Sequence, residues 1–141
     1  MYILDTNVVS TVRRPDRAPR VEAWLRGKAE QDLFLGTITL GETERCIRQQ
    51  ETRDPAFARD LRGWLERTVM LFSDRLLAFG AEEARIWGRL SAEIGHSGAD
   101  LMIAATALHH GAVVVTGNAS DFLGSSFKCN THGPQGIGCC D

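Results

Sequence analysis

The chain has 141 residues, 43% of them hydrophobic and 24% charged, which is the composition of one ordinary water-soluble domain around a single core. A net charge of −2 excludes a uniformly basic protein that coats nucleic acid, and no run approaches the roughly 20 apolar residues that span a bilayer. Asp5 interrupts the apolar Tyr2-Ile3-Leu4 at once, so no secretory signal is expected and residence in the cytoplasm follows by default.

Tyr2 to Leu4 reads as a short buried strand, with Thr6 or Asn7 placed to cap a helical turn over Val8 to Val12. Pro15 and Pro19 punctuate a link, after which Val21, Trp24 and Leu25 recur at helical spacing. Leu33-Phe34-Leu35 is too short for a helix and reads as a strand. Thr37 or Thr39 is placed to cap the next helix, with Leu40, Thr43 and Ile47 on one side. Asp54-Pro55 starts another helix, since aspartate caps well and proline suits the first turn; its apolar face is Phe57, Leu61, Trp64, Leu65 and Val69.

Leu76 to Phe79 reads as a third strand, and Ala81 to Ile94 as a helix ended by Gly95. Asp100 to His110 is a strongly apolar helix closed by Gly111. Val113 to Val115 is the most strand-like run, β-branched and bounded by Gly111 and Gly117. Thr116 to Phe122 reads as a turn, and Phe127 to Asn130 as a last strand. Strands alternating with helices imply a single α/β domain over residues 1–130, with a mainly parallel central sheet flanked by helices; residues 131–141, rich in glycine and cysteine, read as an irregular tail.

Arg13, Arg14, Arg17 and Arg20 form one basic cluster and Arg45, Arg48 and Arg53 another. Arginine's planar fork suits phosphate oxygens, so either cluster can hold a nucleic-acid backbone, face solvent, or seat an acidic partner. Cys46, Cys129, Cys139 and Cys140 make no CxxC pair, and reduced thiols are the simplest account of them. His109 and His110, adjacent at a helix end, complement its dipole, and with His96 they receive no role in the chemistry.

In parallel sheets ligands bind off the carboxyl ends of the strands, and acidic residues gather at that edge here. Asp5 follows the first strand, Glu42 lies in the early turns of the helix after the second, Asp100 opens the helix leading into Val113 to Val115, and Asp121 lies in the turn after that strand. Each alone reads as a cap, a first-turn acid or a turn former. Gathered on one rim they repel, and a site that collects carboxylates normally contains a cation. Oxygen ligands favour a hard ion such as Mg²⁺ or Mn²⁺, and Asp5, Glu42 and Asp100 are expected to meet around one. The chemistry that follows is hydrolysis of a phosphate ester by ion-activated water.

Four segments, in order, resemble PIN-domain toxins of the VapC type. They are Tyr2-Ile3-Leu4-Asp5-Thr6-Asn7-Val8-Val9-Ser10, Thr37-Ile38-Thr39-Leu40-Gly41-Glu42, Ala99-Asp100-Leu101-Met102-Ile103-Ala104-Ala105-Thr106-Ala107, and Val114-Val115-Thr116-Gly117-Asn118-Ala119-Ser120-Asp121-Phe122. The resemblance implies a Mg²⁺- or Mn²⁺-dependent endoribonuclease, the toxin of a type II toxin–antitoxin pair. It implies Asp5 and Asp100 as the main metal ligands, Glu42 as a third acid, and Thr6 and Thr116 as supporting groups. The family's fourth acid falls on Asn118, which bears no charge, and Asp121 follows three residues later. Further implications are a homodimer, a small cognate antitoxin, an RNA substrate, and operator DNA reached only through the antitoxin; separately, the cluster from Arg13 and Arg14 to Arg20, just after Asp5, is placed to guide RNA towards the groove. Two alternatives differ in chemistry. A dehalogenase-like phosphatase needs a second aspartate where Asn7 stands; a catalytically silent module keeps the fold and acts in an operator-bound antitoxin complex.

Overall fold

The computed structural model describes residues 1–14, 16, 19–116 and 129–131. In chain order it contains β1 (Tyr2–Leu4), α1 (Thr6–Arg13), α2 (Pro19–Arg26), a 3-10 turn (Glu30–Asp32), β2 (Leu33–Gly36), α3 (Thr37–Arg53) and α4 (Pro55–Leu71). There follow β3 (Leu76–Leu77), α5 (Ala81–Ile94), α6 (Ala99–His110), β4 (Val113–Thr116) and β5 (Cys129–Thr131). The strands form one sheet in the order β3-β2-β1-β4-β5, and every pairing is parallel.

Side-chain alternation along each strand divides the core between the two faces of the sheet. Ile3 and Val114 turn to one face, against Leu90 of α5 and Ile103, Ala104 and Ala107 of α6. Leu4, Leu35 and Val115 turn to the other, against Val8 and Val9 of α1 and Val21 of α2, with Trp24 and Trp64 packed at the margin. Ile3, Leu35, Val114 and Val115 have no exposed surface at all, as a strand covered on both sides requires. Fully burying one such side chain contributes about 1.5–3 kcal/mol relative to leaving it in water. A third cluster, Cys46, Ile47, Leu61 and Leu65, joins α3 to α4.

Local chemistry sets the element ends, with some differences from expectation. Asp5, rather than Thr6 or Asn7, caps α1. Gly36 stands at the N-cap of α3 and provides no side-chain bond; Thr37 instead accepts a hydrogen bond at 3.1 Å from the Phe79 amide, so its hydroxyl ties α3 to the chain after β3. Asp54 caps α4 as expected, accepting from the Phe57 amide at 3.1 Å. Gly95 (φ 93°) and Gly111 (φ 63°) end α5 and α6 in the left-handed conformation that glycine adopts without steric cost. The third strand is shorter than expected, two residues, and β5 begins two residues later than Phe127. The expected turn beyond Thr116 and the tail from residue 132 lie outside the described residues.

The reading of the cysteines as reduced thiols is corrected at Cys46. Cys46, 3% exposed in the α3–α4 cluster, is disulfide-bonded. Sequence spacing cannot reveal which cysteine the fold brings against a helix, and the side chains of the other three lie outside the described residues.

Two buried charges tie elements together. Arg75, 8% exposed, donates to the carbonyls of Glu30 (2.5 Å), Leu33 (3.1 Å) and Leu71 (2.9 Å), so its guanidinium closes the ends of α4 and the turn before β2 onto one point. Glu83, 6% exposed, reaches back from α5 to accept the Gly80 amide at 3.0 Å. Burial pushes the Glu83 carboxyl up, but hydrogen bonds from its own and the Gly80 amides, together with His109 and His110, outweigh it and hold the group below the usual glutamate range.

A carboxyl held low when folded stabilises the fold above its unfolded value and loses that contribution as pH falls through its folded value. Melting temperature is therefore expected to fall as pH drops below the ordinary glutamate value, and to fall less in Glu83→Gln. Parallel pH profiles of the two proteins would show that Glu83 contributes nothing to acid sensitivity.

Candidate active site

The strand order reverses at β1: the chain passes from β1 to β2 on one side and returns through β4 on the other. Open parallel sheets bind ligands at such a crevice, off the strands' carboxyl ends. Register places the residues there. Leu4 is level with Val115 in β4 and Leu35 in β2, so the next residues, Asp5, Thr116 and Gly36, stand abreast on the rim.

Asp5 is held from both sides. Its Oδ1 accepts the Val8 amide at 2.9 Å, its Oδ2 accepts the Thr116 hydroxyl, and its backbone amide donates to the Val115 carbonyl at 3.1 Å. The side chain is thus both helix cap and strand clasp, in a residue only 4% exposed. A carboxylate buried this deeply is kept in the fold by charge-assisted bonds of this kind.

Thr6, the first residue of α1, donates its hydroxyl to Glu42 Oε1 at 2.5 Å. That bond draws the second turn of α3 to the residue beside Asp5, so Glu42 reaches the same rim despite lying 36 positions away. Asp100 arrives by another route. A helix that enters β4 through Gly111 and Ala112 runs antiparallel to it, which carries the α6 N-terminus back towards the strand's carboxyl end. Asp100 lies in that first turn, where the helix dipole favours an anion, with its side chain 22% exposed.

Two neighbours of Asp100 were given no part by sequence reasoning. His96 Nε2 stands 3.8 Å from Asp100 Oδ2, while His96 Nδ1 accepts the Gly98 amide at 3.3 Å. The spacing of four residues was a usable signal, hidden because the pair straddles a helix start. Gly98 leaves the space Asp100 occupies: a Cβ built there would meet Asp100 Oδ1 closer than real Cβ contacts come.

Asp5, Glu42 and Asp100 thus come to one rim of the sheet from three separate elements. Among the described residues, the group of three carboxylate or imidazole ligand atoms within 4.8 Å of one another is Glu83, His109 and His110. Mg²⁺ does not require three carboxylates; it keeps several waters and uses one or two. An all-oxygen donor set fits a hard ion of that kind. Arg13 and Arg14, at the end of α1, lie over the Phe57 ring at 5.0 and 6.0 Å from its centroid, which fixes both guanidinium groups against α4. Asn118 and Asp121 lie outside the described residues. No helix among the described residues is long and apolar enough to cross a membrane.

Residues 2–122 match the family model of the PIN domain. The chain is 37% identical over 97 residues to Ribonuclease VapC14 of Mycobacterium tuberculosis (strain CDC 1551 / Oshkosh), covering 68% of this chain and 90% of that protein. It is 31% identical over 132 residues to Toxin FitB of Neisseria gonorrhoeae (strain ATCC 700825 / FA 1090), covering 87% and 91%. The solved structure of FitAB bound to an IR36 DNA fragment aligns with a TM-score of 0.79 at 29% identity, covering 93% of this chain and 94% of that one. By the family model, these relatives and the fold, the chain belongs to the PIN-domain family, among the toxins of the VapC type.

Proposed function

We propose that this chain is the toxin of a type II toxin–antitoxin pair and cleaves RNA phosphodiesters endonucleolytically, with Mg²⁺ or Mn²⁺ held by Asp5 and Asp100. The observation that carries the reading is Asp5 itself: a carboxylate buried at the sheet's crevice and oriented on one side by Val8 and on the other by Thr116. When bound, a hard divalent ion polarises a phosphoryl oxygen and makes water more acidic.

The protein's part is positioning. Val8 and Thr116 hold the Asp5 carboxylate in one plane. Gly98 gives Asp100 its place at the α6 terminus. Thr6 occupies Glu42 Oε1, so Oε2 is the atom that takes up a proton from attacking water. Asp121 serves as the remaining acid and Asn118 as an uncharged support. Arg13 and Arg14, steadied on Phe57, contact the RNA backbone. Likeness to a toxin, and to a solved complex containing DNA, supports a small antitoxin partner and operator DNA reached through that complex, and a homodimer acting in the cytoplasm completes the proposal.

Structured RNA incubated with the protein and Mg²⁺ is expected to be cut at internal sites. Chelation, Asp5→Asn or Asp100→Asn should each reduce the rate by about 100-fold or more. Equal cleavage by the unmodified protein and both variants would expose a contaminant, and intact RNA throughout would favour the silent, operator-bound alternative. Gly98→Ala separates positioning from folding. Its backbone (φ −66°, ψ 163°) suits alanine, so stability should change by less than about 1 kcal/mol, while displacement of Asp100 lowers cleavage by about 100-fold. Undiminished cleavage by this variant would remove Asp100 placement from the account. Arg13→Ala/Arg14→Ala is expected to flatten the salt dependence of RNA binding, and an unchanged slope would assign the contact elsewhere.

A further inference from the structure

Away from the acidic rim, the ends of α5 and α6 bring together three side chains the proposed reaction does not use. Glu83 Oε1 lies 3.7 Å from His109 Nε2 and 3.5 Å from His110 Nε2. Both separations exceed the 2.7–3.2 Å or so of a hydrogen bond between nitrogen and oxygen. They match instead the edge of a ligand tetrahedron: bonds of about 2.0–2.1 Å to a common ion set neighbouring ligand atoms about 3.4 Å apart.

The division of labour at Glu83 favours this reading. Oε2 is engaged by the Gly80 amide, which fixes the carboxylate, and Oε1 is the atom turned to both imidazoles. Glu83 is itself only 6% exposed, so its charge is poorly solvated, and imidazoles offer counter-charge only when protonated. Consecutive helical residues normally diverge around the axis, yet His109 and His110 converge on one oxygen, with ring centroids 5.0 Å apart and planes at 82°. The histidines remain 40% and 30% exposed at their side chains, which leaves the outer side open to water.

The geometry points to a second cation site, formed by Glu83, His109 and His110, that takes Zn²⁺ or a similar borderline transition-metal ion with water as fourth ligand. Two nitrogens and one oxygen select against Mg²⁺, which the oxygen-only rim suits. Asp100 and His109 stand at opposite ends of α6, about 14 Å apart along its axis at 1.5 Å per residue, so the two sites are separate. An ion here clamps α5 to α6.

The test uses the full-length chain carrying Asp100→Asn, which weakens the acidic rim, and reads binding rather than cleavage. Co²⁺ is titrated while visible absorption is followed, and Zn²⁺ is then used to displace it. One equivalent with a tetrahedral spectrum is expected, accompanied by a higher melting temperature in Zn²⁺. His109→Ala and His110→Ala should each weaken affinity by about tenfold or more, whereas His96→Ala should not. These histidine variants carry the test because Glu83 also caps α5, so its substitution would mix loss of a ligand with an altered helix end. No saturable binding, equal affinity in the His109 and His110 variants, or a loss confined to His96→Ala would overturn the proposal. Because no arm measures RNA cleavage, failure here leaves the nuclease reading standing, and the converse also holds.

Discussion

The parallel pairing of β1 with β4 organises this molecule. It brings residues more than a hundred positions apart level with one another, and the bond from Thr116 to Asp5 lies one step beyond the last paired residues. Asp5 has a double duty as a result. It satisfies an amide of the first helical turn, which would otherwise lack an intrahelical partner, and it joins the two central strands at the crevice. Stability and chemistry thus share one carboxylate. Asp5→Asn keeps the size of the group while removing its charge, which is why it separates those two roles better than alanine.

Around this pair the other parts act as supports. Ala104, Ala105 and Ala107 of α6, fully buried, let that helix lie close to the sheet and carry Asp100 towards the rim. Thr6 recruits Glu42 through one hydroxyl. Arg75 and Thr37 hold the outer strand and its connections, so the edge of the sheet is closed by side-chain bonds to backbone groups. A cavity of about 410 Å³ beside Val9, Leu25, Trp64 and Phe72 gives the opposite face an apolar recess.

Much of this was legible in the residues. Asp54-Pro55, Gly95 and Gly111 marked helix boundaries because each has a local conformational reason to stand there, and α5 was read to the residue. The acids were legible too, since a carboxylate directly after a buried strand has only the sheet's edge to occupy. What escaped were facts that depend on tertiary approach. Thr37 looked like a cap but is an acceptor for a distant amide. Cys46 looked like a free thiol because no CxxC spacing marks its bond. His109 and His110 looked like a dipole complement, and only the packing of α5 on α6 reveals the carboxylate they face. Strand order dictates which rim an acid reaches, but not the separation of its oxygens once there.

The central claim is that Asp5 and Asp100 converge on one hard cation. Anomalous scattering from crystals of the full chain grown with Mn²⁺ tests it directly. The account predicts a peak within coordination distance, about 2.2 Å, of a carboxylate oxygen from each residue. A manganese peak found only beside Glu83, His109 and His110, or one that touches neither Asp5 nor Asp100, would contradict it.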